Sequence, residues 1–244
     1  MKLEAWKPDM IRFMTDASEY GDYYQQLTKK MLPWLRPDMH VCDAGSGLGY
    51  LSLALAPYVR QVTAVEKNYK AASFLTTNYL IRNIGNVVSR CGDIDRVWPP
   101  GKYDAMVFCF FGGIRQTLKL AKFQCRGDVF VFTRNYQHHR FSAGSLPTGW
   151  DGYPEFRRLL EELKIPFHQE TFALEFGQPF RNLRDARLFY ELYSKDHNHA
   201  ILTEEFLKTK LVETGREDFP FYAPHQRQIA FLHFSAKDIP YYIE

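Results

Sequence analysis

Short apolar runs alternate with amphipathic stretches along most of the chain. Residues 41–45, 61–66 and 87–91 read as three buried strands, with helices over 48–56 and 69–83 between them. Residues 103–110 predict a fourth strand, 114–123 a helix and 128–132 a fifth strand. A helix over 154–163 opens on a proline in its first turn, and 167–176 and 228–234 supply two more strands. Strands that alternate with helices and then close as a pair imply an α/β fold. It is a doubly wound, mostly parallel seven-stranded sheet with helices on both faces and an antiparallel last strand.

Two regions fall outside that alternation. Residues 1–35 form an N-terminal helical segment. Within it, 21–35 carries Tyr24, Leu27, Met31 and Leu35 on one stripe, and Pro33 kinks it or brings its end forward. Residues 6–20 read as aromatic and irregular. Before the last strand lies a helical insert, 178–227. Asn182 caps a helix through Tyr193, with Ala186, Phe189, Tyr190 and Tyr193 on one face, and Thr203 opens a second helix ending near Lys210. Residues 211–226 read as loop, with Pro220 and Pro224 as breakers. The whole, 1–244, is read as a single domain. The insert is expected to be a substrate lid, with helical decoration or a homodimer surface as the alternatives.

The densest chemical signal is Val41-Cys42-Asp43-Ala44-Gly45-Ser46-Gly47-Leu48-Gly49. A strand ends in an acid, and three glycines follow at alternate positions before a helix. Glycine there lets the backbone turn with positive φ and lets a ligand approach closely. A dinucleotide turn of the G-x-G-x-x-G kind would need glycine where Tyr50 stands, and no Gly-Lys-Ser/Thr follows to make a P-loop. Two more acids close strands. Glu66, with Lys67 beside it, ends the second, and Asp93-Ile94 follows the third. In open α/β sheets ligands bind at these carboxyl ends. The bland alternatives are a tight turn without a ligand and two acids that only cap helices.

This acid-x-Gly-x-Gly-x-Gly turn, together with acids at 43, 66 and 93, resembles the class I S-adenosylmethionine (SAM)-dependent methyltransferases over residues 20–177. The stretch from Glu175 to Tyr193 resembles, less specifically, small bacterial members of that group. The resemblance implies SAM as cofactor and S-adenosylhomocysteine as product. It implies that Asp43 anchors the methionine amino end and that Gly45, Ser46, Gly47 and Gly49 pass under the methionine and ribose. Glu66 takes the ribose hydroxyls, Asp93 the adenine amino group, and Ile94 lies on the ring. Tyr20, Tyr23 and Tyr24 close over the methionine end, or pack structurally. At the end of the fourth strand Phe110 and Phe111 pack on adenine, face the sulfonium, or belong to the core. That strand end lacks the Asn/Asp-Pro-Pro-Tyr/Phe of amino-methylating DNA enzymes and the carboxylates of magnesium-dependent O-methyltransferases, so no metal is expected.

Residues 133–140 follow the fifth strand at the same edge and hold the candidates for a general base, His138, His139 and Tyr136. His197 and His199 lack a third ligand at metal-binding spacing. The four cysteines lie far apart, which fits reduced, buried thiols in a cytoplasmic protein. The N-terminus lacks the apolar core of a signal peptide, and no apolar run approaches a membrane span.

Net charge is +3. Between residues 105 and 150 Asp128 is the single acid among Arg115, Lys119, Lys122, Arg126, Arg134 and Arg140. That stretch attracts an anion, or is a solvated helix face. The insert is charge-balanced but aromatic, and its Phe180, Phe189, Tyr190, Tyr193, Phe206, Phe219, Phe221 and Tyr222 are expected to wall an acceptor pocket. A nucleic-acid partner is not expected. The sequence therefore reads as a methyltransferase acting on a small molecule. The alternatives are methylation of RNA or protein, and a SAM- or S-adenosylhomocysteine-binding protein without catalysis. Tyr50 and Asp43 disfavour a nicotinamide oxidoreductase.

Overall fold

The computed structural model describes residues 6–97, 99, 101–135, 152–193 and 202–241. Helices α1 (Pro8–Tyr20) and α2 (Tyr23–Met31) precede β1 (His40–Ala44), α3 (Tyr50–Leu55), β2 (Gln61–Glu66), α4 (Tyr69–Ile81) and β3 (Val87–Cys91). Then come β4 (Tyr103–Cys109), α5 (Ile114–Gln124), β5 (Cys125–Arg134), α6 (Tyr153–Glu162) and β6 (Phe167–Glu175). The insert holds β7 (Gln178–Phe180), α7 (Leu183–Tyr193), α8 (Glu204–Lys210), β8 (Val212–Glu213) and β9 (Phe221–Ala223), and β10 (Gln226–Ser235) closes the sheet.

The main sheet runs β3-β2-β1-β4-β5-β10-β6. Strand β10 is antiparallel to both neighbours, and the pairings from β3 through β5 are parallel. Both faces are covered. Leu27, Met31, Leu51, Leu55 and Leu75 from α2, α3 and α4 pack on one side. Leu118, Ala121, Phe156 and Leu160 from α5 and α6 pack on the other. Central strands buried on both sides read as continuous apolar runs, which is why the sequence located them. The strand order reverses between β1 and β4, so the crevice outside their carboxyl ends is where this architecture receives a ligand.

Three expectations are corrected. Residues 6–20 are not irregular, because 8–20 form α1. Its buried stripe is Phe13, Asp16 and Ala17, and the acid within it masks the pattern. Asp16 is tolerated because Arg181, far along the chain, donates two hydrogen bonds to its carboxylate at 2.5 and 2.8 Å. Residues 211–226 are not all loop. Strands β7, β9 and β8 form a separate three-stranded antiparallel sheet. Two- and three-residue strands are too short to show alternation. Pro220 and Pro224 flank β9 without interrupting it, and Pro179 sits on the edge strand β7, where no ladder donor is needed. All four cysteines are free thiols, but Cys91, on edge strand β3, is exposed.

The insert has its own core, formed by Phe180, Ala186, Phe189, Tyr190 and Leu207, and α1 contributes Phe13 to it. The Phe13 ring meets Phe189 edge-on at 5.1 Å and Phe180 at 6.2 Å, and is fully buried. Phe13→Ala should lower the unfolding free energy by about 3–5 kcal/mol, measured by urea denaturation. A loss below 1 kcal/mol would mean that α1 and the insert are not packed together in solution.

Candidate functional site

Strand β1 ends at Ala44, and the chain turns back at once. The backbone N–H groups of Gly45 and Ser46 both donate to the Val65 carbonyl at 2.9 and 3.0 Å, which fastens the turn to β2. Gly45 has φ +70°, and a Cβ there would collide with the Phe111 ring. Gly49, φ +83°, would collide with Leu75. At these two positions the chain's own side chains fill the space that the sequence reading gave to an approaching ligand. Gly47 keeps room, since a Cβ on it would meet the Trp6 ring at an ordinary 3.5 Å. Between them the Ser46 hydroxyl is buried with no hydrogen-bond partner among the described residues.

The three acids hold different positions. Asp43 is buried, and its Oδ2 accepts from Ser52 Oγ at 2.6 Å. Burial pushes its pKa up to about 6, against the Ser52 hydrogen bond, and the nearby Glu66 adds to the rise. Glu66 Oε2 accepts from the Gly47 N–H at 2.9 Å and Oε1 from the Asn68 N–H at 2.8 Å. Its carboxylate is thereby aimed across the glycine turn, and the N-cap of α4 is instead the Asn68 side chain. Asp93 accepts from Lys67 Nζ at 2.6 Å, which holds its pKa below the usual carboxylate range. Ile94 is buried in the core beside α5, and its carbonyl accepts from Gln124 Nε2. Ser52 was missed from sequence. It lies three residues beyond the last glycine of the turn, in the first turn of α3, the spacing at which a helix points a side chain back at the strand end before it.

Aromatic rings gather at the end of β4. Phe110 has φ +53°, and its N–H donates to the Phe132 carbonyl at 2.8 Å. The guanidinium of Arg227 lies 3.5 Å above the Phe110 ring and donates to the Tyr23 hydroxyl at 3.3 Å. Tyr23 stacks on Phe176 at 4.2 Å. Tyr24 meets Phe176 edge-on and stacks on Tyr50. Burial raises the Tyr24 pKa to about 12, with Cys109 next in effect and the Arg227 charge opposing. Of the tyrosines singled out from sequence, Tyr23 and Tyr24 belong to this cluster, and Tyr20 stacks on Tyr222 of the insert. Phe176 and Arg227 stand at the two ends of the insert; Phe176 lies in the stretch from Glu175 to Tyr193 that resembles small bacterial members of the family, but neither residue was singled out for the site.

Helix α1 joins this edge to the insert. Trp6 and Ile11 pack with Leu48, Tyr50 and Ala71 beside the glycine turn, and Tyr50 Oη donates to Glu19 at 2.8 Å. On its other side Arg12 makes a bidentate pair with Asp185 of α7, and Asp16 makes one with Arg181. The insert's aromatics do not form the expected wall. Phe180, Phe189 and Tyr190 are consumed in the insert's own core, with Tyr193, Phe206 and Phe221 packed against it. Tyr222 and Phe219 lie on Tyr20. Tyr136, His138, His139, His197 and His199 lie outside the described residues.

With this geometry in place, three comparisons bear on the chain. It is 30% identical over 112 residues to ribosomal RNA small subunit methyltransferase G of Nitrosomonas eutropha, covering 44% of this chain and 49% of that protein. It is 38% identical over 81 residues to protein-L-isoaspartate O-methyltransferase 1 of Rhodopseudomonas palustris, covering 32% of this chain and 33% of that protein. The chain thus spans between a third and about half of the length of these curated relatives. The YcgJ protein of Bacillus subtilis has the same fold, with a TM-score of 0.59 at 13% identity over 88% of this chain and 98% of that one. No family model matches. Over the matched stretches the chain is similar to methyltransferases of the class I SAM-dependent kind, and its seven-stranded sheet has the Rossmann-like fold. Among the described residues no helix is long and apolar enough to cross a membrane.

The buried acid predicts a pH signature. The unfolded chain ionises Asp43 near pH 4, whereas the folded chain holds the proton to about pH 6. Stability from this group is complete below pH 4 and is lost as pH rises to 6, by about 3 kcal/mol. Urea denaturation of the ligand-free protein should show the parent losing that amount relative to Asp43→Asn over this window. A difference that stays flat with pH would mean that Asp43 ionises normally in the fold.

Proposed function

We propose that this chain binds SAM along the carboxyl edge of its sheet and transfers the methyl group to a small-molecule acceptor by in-line displacement. The observation that carries the reading is the convergence of Asp43, Ser46, Glu66 and Phe110 at the point where strand order reverses. A carboxylate offers about four acceptor positions. Glu66 has used two on backbone N–H groups, which fix its orientation and leave two for the ribose hydroxyls. Asp43, without cofactor, is half protonated near pH 6. A cationic amino group beside it favours the carboxylate, so Asp43 anchors the methionine end. The orphaned Ser46 hydroxyl and the turn at Gly47 face the same ligand. Asp93, positioned by Lys67, takes the adenine amino group, and Ile94 supports the ring from the core side.

The cofactor supplies an already activated sulfonium methyl, so the protein's work is alignment and exclusion of water. Phe110, Tyr24 and Phe176 form a partly buried aromatic cluster beside that methyl, and this suits a small, partly apolar acceptor. The curated relatives are named for ribosomal RNA and isoaspartyl protein, but this chain matches them over half their length at most. Where the acceptor carries a proton, the base comes from Tyr136, His138 or His139. Insert 178–227, with α1, acts as a lid over the edge, and the protein works as a single domain in the cytoplasm.

Calorimetric titration with S-adenosylhomocysteine should give micromolar affinity, about −8 kcal/mol. Glu66→Ala should weaken it by roughly 1.5–3 kcal/mol. Tighter binding of a nicotinamide dinucleotide would overturn the cofactor assignment. Affinity should also fall about tenfold per pH unit below pH 6, as Asp43 takes up its proton. Affinity independent of pH between 4 and 7 would remove Asp43 from the anchor. Incubation with methyl-labelled SAM and a metabolite extract should transfer label to a small compound, and binding without turnover would leave a cofactor-sensing protein.

A further inference from the structure

A second cleft lies away from the glycine turn, between α5 and the chain's end. It encloses about 490 Å³ and is lined by Arg115, Lys119, Lys122, Phe123 and Tyr241, with Asp95 and Gln116 at one end. That volume is in the range that holds small organic ligands. Three cations face one carboxylate, and Asp95 is already engaged: Gln116 Nε2 donates to it at 2.9 Å, and Lys119 lies 3.7 Å away. Arg115, Lys119 and Lys122 stand at i, i+4 and i+7, so they share one face of α5 over about 10 Å.

The wall opposite α5 is preformed. Lys122 Nζ donates to the Ile239 carbonyl and sits 4.1 Å from the Tyr241 ring centre, and the Ile239 side chain is buried in the core. Lys122 is thus occupied in holding the wall. Arg115 and Lys119 are exposed. Phe123 and Tyr241, beside Lys122, are 47% and 78% exposed, so both rings are open to a ligand. A charged end and an aromatic end within one cleft define a ligand with an anionic group at one end and a planar ring at the other.

We propose that this cleft is a second binding site, for a nucleoside phosphate. The phosphates would meet Arg115 and Lys119, whose spacing of one helical turn suits two adjacent negative groups better than one. The base would lie on Tyr241 and Phe123 by stacking. Asp95, two residues beyond Asp93, would place this site next to the adenine end of the proposed cofactor position, so the two sites share the segment after β3. The inference stands on the α5 cleft alone and survives if the methyl-transfer reading fails.

The test is calorimetric titration with ADP in the presence of saturating S-adenosylhomocysteine, which keeps ADP out of the cofactor's own adenosine position. ADP should bind once per chain and more tightly than adenosine or inorganic phosphate. The double variant Arg115→Ala/Lys119→Ala should weaken ADP at least about tenfold, with melting temperature and S-adenosylhomocysteine affinity unchanged. Tyr241→Ala, at an exposed position, should weaken ADP without altering inorganic phosphate binding. Absence of ADP binding, ADP binding unaffected by the double variant, or displacement of ADP by S-adenosylhomocysteine would each overturn the site. If S-adenosylhomocysteine itself does not bind, the cofactor reading fails, and the double variant still decides the cleft. Tighter binding of a short single-stranded RNA than of ADP, with steep salt dependence, would replace the nucleotide pocket by an RNA surface.

Discussion

The constraint on which this structure turns is the position of α1 between the glycine turn and the insert. Its first turns lie with Trp6 against the glycine turn, and Phe13 completes the core of the insert. Two reciprocal arginine–carboxylate pairs, Arg12 with Asp185 and Asp16 with Arg181, fasten the helix to α7 and its approach. Each pair is bidentate, which fixes direction as well as distance. Removing one member would leave a partly desolvated charge behind, so the pairs specify this docking even where their net contribution to stability is small. The insert is therefore tied to the cofactor edge through α1, and not by the flanking strands β6 and β10 alone.

Most of the sheet was legible because central strands in a doubly wound fold are buried on both faces and carry short apolar runs, with most of the polar residues near their ends. The strand-end acids stood out against that background. What could not be read depended on partners distant in sequence. Asp16 looks wrong in an amphipathic stripe until Arg181 is placed beside it, so within the helical N-terminal segment residues 8–20 were read as irregular. The two- and three-residue strands of the insert pair only with one another and leave no periodic trace. The insert's aromatics were legible as rings but not as to purpose. A separate core needs large apolar side chains as much as a pocket does, and the core takes them first.

The candidate site shows the same division. Asp43, Glu66 and Asp93 are where their spacing placed them, and the structure adds how each is held: a serine hydroxyl, two backbone N–H groups and a lysine. The glycines divide by job. Gly45 and Gly49 are required by Phe111 and Leu75 packing against the turn, and Gly47 is the one with room beside it. A glycine-rich turn thus records close packing from inside the fold as well as access from outside. The aromatic cluster at the end of β4 was least legible, because Phe176 and Arg227 converge on it from the two ends of the insert and neither carries a role by spacing alone.

The account rests on the crevice between β1 and β4 being a cofactor site, and a crystal structure with S-adenosylhomocysteine tests that most directly. The ribose hydroxyls should lie within hydrogen-bond distance of Glu66, the amino group should sit over the end of β1 near Asp43, and the sulfur should face Phe110. A ligand seated elsewhere, or one that reaches the crevice with Glu66 turned away from the ribose, would contradict the account.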